Sequence, residues 1–265
     1  MKSRLPKNFR VLSFAGLTLF LLLCSCRPFS SICGSGNIIE ETRTVPYFHS
    51  IELKTSCTLT FIKGGPQELR IQAEDNILPI ITTNVRHDGT LVIDTCDGFK
   101  SYIGIKVFAV MEEVLGFTIS TSADIKGEVA FSCPSLKLVI GGSGSINIAD
   151  VTTDSILNSI NGSGGIFLTA HTESMDSTIN GSGGIHLSGN GTSHSLRTNG
   201  SGNLEALDFD TLNYDIAILG SGDCRIFVRD ILDADIIGSG SIFYKGNPGS
   251  INCNISGSGK LIKMD

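Results

Sequence analysis

From residue 115 onward, apolar side chains recur in columns about 19 residues apart, and polar residues separate them at every second position. Alternation with period two is typical of strands that bury one face. The clearest column precedes a Gly-Ser-Gly motif, or its degenerate form, by two residues: Ile119, Ile140, Ile160, Ile179, Thr198, Ile218, Ile236 and Ile255. Two similar columns lie six residues before and four residues after the first glycine of the motif. The pattern therefore predicts stacked strands around a shared apolar interior.

From residue 142 onward the Gly-Ser-Gly motif occurs seven times, with spacings of 20, 19, 19, 20, 18 and 19 residues. Its first glycines are Gly142, Gly162, Gly181, Gly200, Gly220, Gly238 and Gly257. A fixed period over about 150 residues indicates a solenoid. A Gly/Ser linker would not place isoleucine so regularly. We interpret each motif as a corner, where glycine adopts positive φ and successive serines stack.

The period selects the kind of solenoid. Helical repeats need at least about 33 residues, and leucine-rich repeats need a motif that this sequence lacks. Nineteen residues fit three short strands and three corners, which is one turn of a parallel β-helix. We therefore predict an all-β fold, a parallel β-helix of about eight coils over residues 115–265.

Residues 37–114 lack this periodicity but contain strand-like segments separated by turn sequences. We expect strands at 38–45, 50–54, 58–63, 68–74, 90–95 and 102–110, and one helical turn near 75–79. Because the ends of a solenoid need covering, the sequence predicts a β-rich capping region here.

The first 26 residues resemble a lipoprotein signal peptide. Four basic residues precede an apolar run from Val11 to Leu23, which is too short to span a bilayer, and Leu23-Cys24-Ser25-Cys26 follows. We expect Cys26 to carry the acyl chains, with residues 27–36 as a short linker. A plain secretory signal is the alternative. Because Arg27 replaces the aspartate that favours inner-membrane retention, we predict an outer-membrane lipoprotein of a Gram-negative cell, facing either side.

The chain from Cys26 onward has 16 basic and 26 acidic residues, which argues against a nucleic-acid partner. It also contains six further cysteines that could form up to three disulfides in an oxidising compartment. We favour a core position for Cys224 and Cys253, and the pairing of the set stays open: Cys33, Cys57, Cys96, Cys133, Cys224 and Cys253.

Three stretches resemble the GIN-domain family, whose members are described as auto-transporter adhesin heads. They are Gly36–Glu41, Phe48–Leu53 and the sequence IQAEDNILPIITTNVRHDGTLVI from Ile71. The later FTISTSADIKG and the Gly-Ser-Gly repeats extend the likeness over nearly all of the exported chain. The resemblance implies a secreted or lipid-anchored all-β protein and brings no catalytic residues. Thr121-Ser122-Ala123 departs from the family, which usually has a glycine-bounded serine there.

Chemistry-bearing residues are sparse. Calcium-binding β-rolls need an aspartate at a fixed place after the glycines, and the repeats lack it, so we expect no metal or cofactor. Some β-helices are polysaccharide lyases or glycosidases, which need clustered carboxylates. Asp215 and Asp233 share one outward column, and Glu205 and Arg225 share another. These four residues are the candidate surface-binding positions.

We predict a non-enzymatic, lipid-anchored envelope protein, an adhesin or scaffold that binds a protein or glycan through the faces of its solenoid. A carbohydrate-active enzyme is the alternative, and it would require convergent carboxylates in a cleft. Self-association through the open end of the solenoid is a third possibility.

Overall fold

A computed structural model describes residues 32–96, 98–101 and 103–265, so the signal peptide and Cys26 lie outside the described residues. The N-terminal part contains nine strands and a 3-10 turn, Leu78–Ile80, close to the expected helical turn. The strands are β1 Ile32–Cys33, β2 Ile38–Thr42, β3 Ser50–Leu53, β4 Cys57–Lys63, β5 Glu68–Glu74, β6 Ile81–Val85, β7 Thr90–Thr95, β8 Phe99–Lys100 and β9 Ile105–Met111. The sequence did not predict β6.

The repeat region forms a parallel β-solenoid of about seven turns, against about eight expected. Its strands are β10 Gly116–Ile119, β11 Asp124–Gly127, β12 Phe131–Ile140, β13 Ser145–Gly162, β14 Gly165–Gly181, β15 Gly184–Gly200, β16 Asn203–Gly220, β17 Cys224–Gly238, β18 Ser241–Lys245, β19 Ser250–Gly257 and β20 Lys260–Lys263. Each coil pairs in parallel with the next. The predicted columns are in register, because each member pairs with the next along the column, in the order Ile160, Ile179, Thr198, Ile218, Ile236 and Ile255.

The strands are longer than expected. From β13 to β16 each runs for 17 or 18 residues and breaks only at the Ser-Gly of the motif. The expectation of three short strands per coil was therefore wrong in detail. Coil-to-coil hydrogen bonding continues around the other bends, because the neighbouring coils bend in the same register.

The predicted inward columns form the core, in which Ile140, Ile166 and Ile218 are fully buried. Cys224 is also fully buried, as expected. The final coil differs: Ile255 is 45% exposed although its column is buried elsewhere. Ile255 lies in β19, and among the described residues no further coil stacks on that strand.

The Gly-Ser-Gly corners are held together by backbone contacts. The N–H of Ser201 donates to the carbonyl of Gly181 over 2.9 Å, and the same bond recurs at the other motifs. Gly200 has φ +124°, and a Cβ placed there would lie 2.6 Å from the Gly181 carbonyl oxygen. Within the described part of the chain, one pair of motif serines, Ser239 and Ser258, joins its hydroxyls, over 3.1 Å. Close packing of the backbone therefore explains the glycines better than the expected serine ladder does.

The N-terminal strands extend the stack of coils. β3 pairs in parallel with β10 on one side and with β7 on the other, and β4 lies likewise between β11 and β9. The coil formed by β3 and β4 is thus inserted out of chain order. β5 and β6 then pair antiparallel with β9 and β7, and β2 pairs with β5, so that antiparallel strands close this end.

Within the described ranges, no helix is long and apolar enough to cross a bilayer. The six described cysteines are free thiols: Cys33, Cys57, Cys96, Cys133, Cys224 and Cys253. Cys253 is only half-buried, because its inward column reaches the uncovered final coil.

Candidate functional site

Glu205 and Arg225 lie side by side on adjacent coils, as their shared column predicts. They are in register between β16 and β17, and the Arg225 guanidinium donates to the Glu205 carboxylate. The guanidinium also lies 5.3 Å from the centre of the Phe243 ring on the next coil. Both charges are thereby partnered within the ladder, so this pair is a surface contact rather than an acid and a base awaiting a substrate.

Asp215 and Asp233 are also in register on adjacent coils, and both are exposed. Asp215 lies 3.8 Å from the Arg197 guanidinium, and Asp233 accepts a 2.7 Å hydrogen bond from the Asn252 amide. Both stand on an open face of the solenoid. The structure brings them together without enclosing them.

A groove that the sequence analysis missed lies on another face, beside Glu205. It arises from two β-bulges on the coils that flank β14 and β15. In β13, Ala149 and Asp150 together face Thr169, and in β16, Ala206 and Leu207 together face Leu187. Between these coils, β14 and β15 pair without a shift, so two flat coils lie between two bulged ones.

The floor of this groove, which we call the two-coil groove, mixes rings, aliphatic groups and hydroxyls. The Phe167 and His186 rings stack with their centres 4.7 Å apart and their planes at 9°. Further along the same strands, the hydroxyls of Thr169 and Ser188 lie 2.8 Å apart. Leu168 and Leu187 complete the lining, and the cavity volume is about 400 Å³.

The walls of the two-coil groove carry a small number of polar groups. Asn147 and Ala149 line one side, and Glu205, Leu207 and Asp208 line the other. The Glu205 charge is neutralised by Arg225, which leaves the Asp208 carboxylate as the wall's other negative charge. The site is thus polar but weakly charged, and the floor strands β14 and β15 are each paired on both sides.

A second, more open groove of about 610 Å³ lies across β12 to β15 and shares three strands with the first. Among its lining residues, His171 Nδ1 lies 2.6 Å from Asn190 Oδ1, and His171 Nε2 lies 3.6 Å from Asp150 Oδ1. Asp150 belongs to the β13 bulge, so the bulge orients a histidine as well as forming a wall. Cys133 also lines this groove, and burial raises the pKa of its thiol, which disfavours the nucleophilic thiolate.

His194 lies in the core, where its inward column placed it. Its Nε2 is hydrogen-bonded to the Ser177 hydroxyl over 2.9 Å, and that hydroxyl accepts a hydrogen bond from the Asn158 amide over 3.2 Å. Burial without a charged partner lowers the pKa of His194 from 6.5 to about 3. A neutral, enclosed imidazole of this kind is structural. Among the described residues, no group of three or more histidine, cysteine or acidic side chains is placed to hold a metal ion.

Residues 47–248 match the model of a family described as "Putative auto-transporter adhesin, head GIN domain". The chain belongs to this family. The match includes both grooves and all four predicted surface residues, and it confirms the resemblance seen in the sequence. No curated protein matches the chain significantly.

Solved structures confirm the fold of this GIN-domain chain. A "putative lipid binding protein" from Parabacteroides distasonis is similar with a TM-score of 0.82 and 22% identity, over 89% of this chain and 100% of its own. A "putative adhesin" from Parabacteroides merdae gives 0.83 and 18% identity, over 89% and 99%. A "putative adhesin" from Bacteroides fragilis gives 0.67 and 21%, over 88% and 100%.

The two-coil groove left a signal in the sequence. The spacing of the glycine motifs is 20, 19, 19 and 20 residues from Gly142 to Gly220. Each 20-residue coil contains one of the two bulges, and each 19-residue coil forms part of the groove floor. When one coil has a residue more than the coil next to it, that residue cannot pair and forms a bulge. The 20-residue spacings between glycine motifs therefore mark the two coils that form the walls of the two-coil groove.

Proposed function

We propose that this protein is a non-enzymatic adhesin of the cell envelope, anchored to the outer membrane by acyl chains on Cys26, which binds a protein or glycan through the side faces of its solenoid. The observation that supports it best is the two-coil groove on a rigid stack of coils. β-Bulges next to a site re-aim side chains, and a fold whose coils share one register holds such a site firmly. The family, described as an adhesin head domain, and the two solved relatives described as adhesins support the same role.

Binding accounts for the surface better than hydrolysis does. Glycosidases and lyases need a general acid and a base that converge on one bond. The predicted carboxylates instead lie on an open face, Asp215 near Arg197 and Asp233 bonded to Asn252, while Glu205 is paired with Arg225. A partnered, exposed carboxylate is poorly suited to accept or deliver a proton in catalysis.

The anchor follows from the sequence around Cys26. Several acyl chains on one residue contribute about 0.8 kcal/mol per buried methylene, which holds a protein firmly at a membrane. The negative charge of the exported chain would not itself attract it to an anionic surface. Attachment in this proposal therefore depends on the lipid alone.

The anchor and the role are tested together with the full chain expressed in a Gram-negative host. We expect Cys26→Ser to move the protein from the membrane to the soluble fraction and to abolish incorporation of labelled palmitate. Cys24→Ser is the matched control and should change neither.

Protease added to intact cells should remove the wild-type protein, and those cells should adhere to host proteins or glycans better than cells with an empty vector. Complete protection from protease would rule out an adhesin, because an inward-facing protein cannot reach a partner.

A further inference from the structure

We propose that the two-coil groove is a binding site for an uncharged oligosaccharide. This inference rests on the proposed adhesin function and names the ligand class of one of its faces. It depends on three observations: the size of the groove, its satisfied backbone, and the kind of side chains on its floor.

The groove has the dimensions of a small-molecule site. Its volume of about 400 Å³ falls within the range of about 300–1,000 Å³ that such sites occupy. The bulged coils β13 and β16 stand three strand spacings apart, roughly 14 Å. Because the floor follows the direction of β14 and β15, the groove is open at its ends and suits a short segment of a linear chain.

The backbone of the floor excludes an added peptide strand. β14 pairs with β13 and β15, and β15 pairs with β14 and β16, so their ladder hydrogen bonds are made on both sides. Strand addition needs a free sheet edge, because main-chain hydrogen bonds supply its affinity. A ligand in this groove must instead be recognised by side chains.

The floor of the groove carries side chains that can both donate and accept hydrogen bonds. Thr169 and Ser188 form a hydroxyl pair in which one donates to the other, leaving one O–H and several lone pairs for a ligand. The His186 ring and the Asn147 amide add groups that both donate and accept. Vicinal hydroxyls of a sugar, which also donate and accept, match this set better than a purely anionic or cationic group does.

Apolar surface accompanies these polar groups. Phe167 is 41% exposed, and Leu168 and Leu187 are just beneath the surface at 4% and 5%. Phe167 and His186 stack on each other, so each ring covers one face of the other. The Phe167 ring and the half-buried Leu207 side chain can contact the C–H groups of a sugar, while the hydroxyl pair binds its oxygens.

The charge of the walls selects against anionic ligands. Arg225 neutralises Glu205, and Asp208 remains as a negative wall residue. A uronate, sulfate or phosphate would be repelled by the Asp208 carboxylate, and it would find no cationic side chain lining the groove. We therefore assign the site to oligosaccharides without ionised groups.

The test measures binding of the purified full chain to an array that presents uncharged oligosaccharides beside uronate-bearing and sulfated ones. Thr169→Tyr fills the groove from an outward, half-buried position. Its matched control is Thr178→Tyr, which changes the same residue type at an outward, half-buried position of the same strand on a different face. Ser188→Ala removes one hydroxyl of the pair without adding volume. Melting temperatures establish that all three variants fold.

We expect wild type and Thr178→Tyr to bind uncharged members with affinities within twofold of each other. Thr169→Tyr should lose at least tenfold, and Ser188→Ala should weaken binding in the same direction. Equal binding by Thr169→Tyr and wild type would overturn the proposal, as would a preference for the anionic members. If wild type binds no oligosaccharide while expressing cells still adhere to protein-coated surfaces, this assignment fails and the adhesin role stands. If those cells adhere to nothing, the adhesin role itself fails.

Discussion

At His194 the interior of the solenoid departs from its aliphatic columns. Met175 precedes this histidine in its column and Tyr214 follows it, and all three are buried. The imidazole bonds to Ser177 through Nε2, while its Nδ1 has no protein hydrogen-bond partner in the described structure. A buried base that lacks an acidic neighbour is held neutral, because charging it inside the core costs more than charging it in water.

His194 therefore makes stability depend on pH. The unfolded chain binds a proton at this side chain below about pH 6.5, whereas the folded chain binds it only near pH 3. Between these values the unfolded state holds more protons, so the free energy of unfolding should fall as the pH falls, by about 1.4 kcal/mol per pH unit. Chemical denaturation of wild type and His194→Gln between pH 7 and pH 4 measures this.

The control for this prediction is His87→Gln, which changes an exposed histidine. Wild type and His87→Gln should lose stability in parallel as the pH falls. His194→Gln should start less stable at pH 7, because the Ser177 contact changes, and should lose less with acid. Identical slopes for all three proteins would show that His194 does not titrate as its burial requires.

At the scale of the coil, the sequence predicts inward residues well and bulges poorly. Alternation with period two identified Ile179 and Ile218 as core because every second residue must face inward. It also placed Glu205 beside Arg225. The groove was not predicted, because the 20-residue spacing shows that a coil contains an extra residue but not where that residue leaves the ladder. The pairing of β3 with β10 and of β4 with β11 was not predicted either, because pairing out of chain order leaves no periodic pattern in the sequence.

The corner between coils depends on Gly200. A Cβ there would come within 2.6 Å of the Gly181 carbonyl oxygen, and φ of +124° is strained for any other residue. We expect Gly200→Ala to lower the free energy of unfolding by about 1–3 kcal/mol. Ser201→Ala is the neighbouring control, because its exposed hydroxyl can be removed while its backbone bond to Gly181 stays. It should change stability by less than about 0.5 kcal/mol. Equal melting temperatures for the two variants would contradict a steric role for this glycine.

For the whole molecule, stacking of coils makes position along the solenoid matter as much as residue type. In a solenoid each repeat contacts only its neighbours, so an internal coil is covered on both sides and a terminal coil on one. Ile179 on β14 is fully buried between β13 and β15, whereas Ile255 on β19 stacks on β17 alone among the described strands and is 45% exposed. Both isoleucines stand two residues before a glycine motif, so they form a matched pair.

The same substitution at these two places tests the architecture. Ile179→Asp buries a carboxylate with no cation beside it and should cost about 4 kcal/mol or more, enough to unfold much of the stack. Ile255→Asp leaves its carboxylate partly in water at the open end, and we expect a loss of about 1 kcal/mol or less. Thermal unfolding followed by circular dichroism distinguishes the two, because only the internal change should lower the melting temperature by many degrees.

If Ile179→Asp melts within two degrees of wild type, the isoleucine column does not face a dry interior. If Ile255→Asp is as damaging as Ile179→Asp, the final coil is covered by something that packs against it, such as a second copy of the chain.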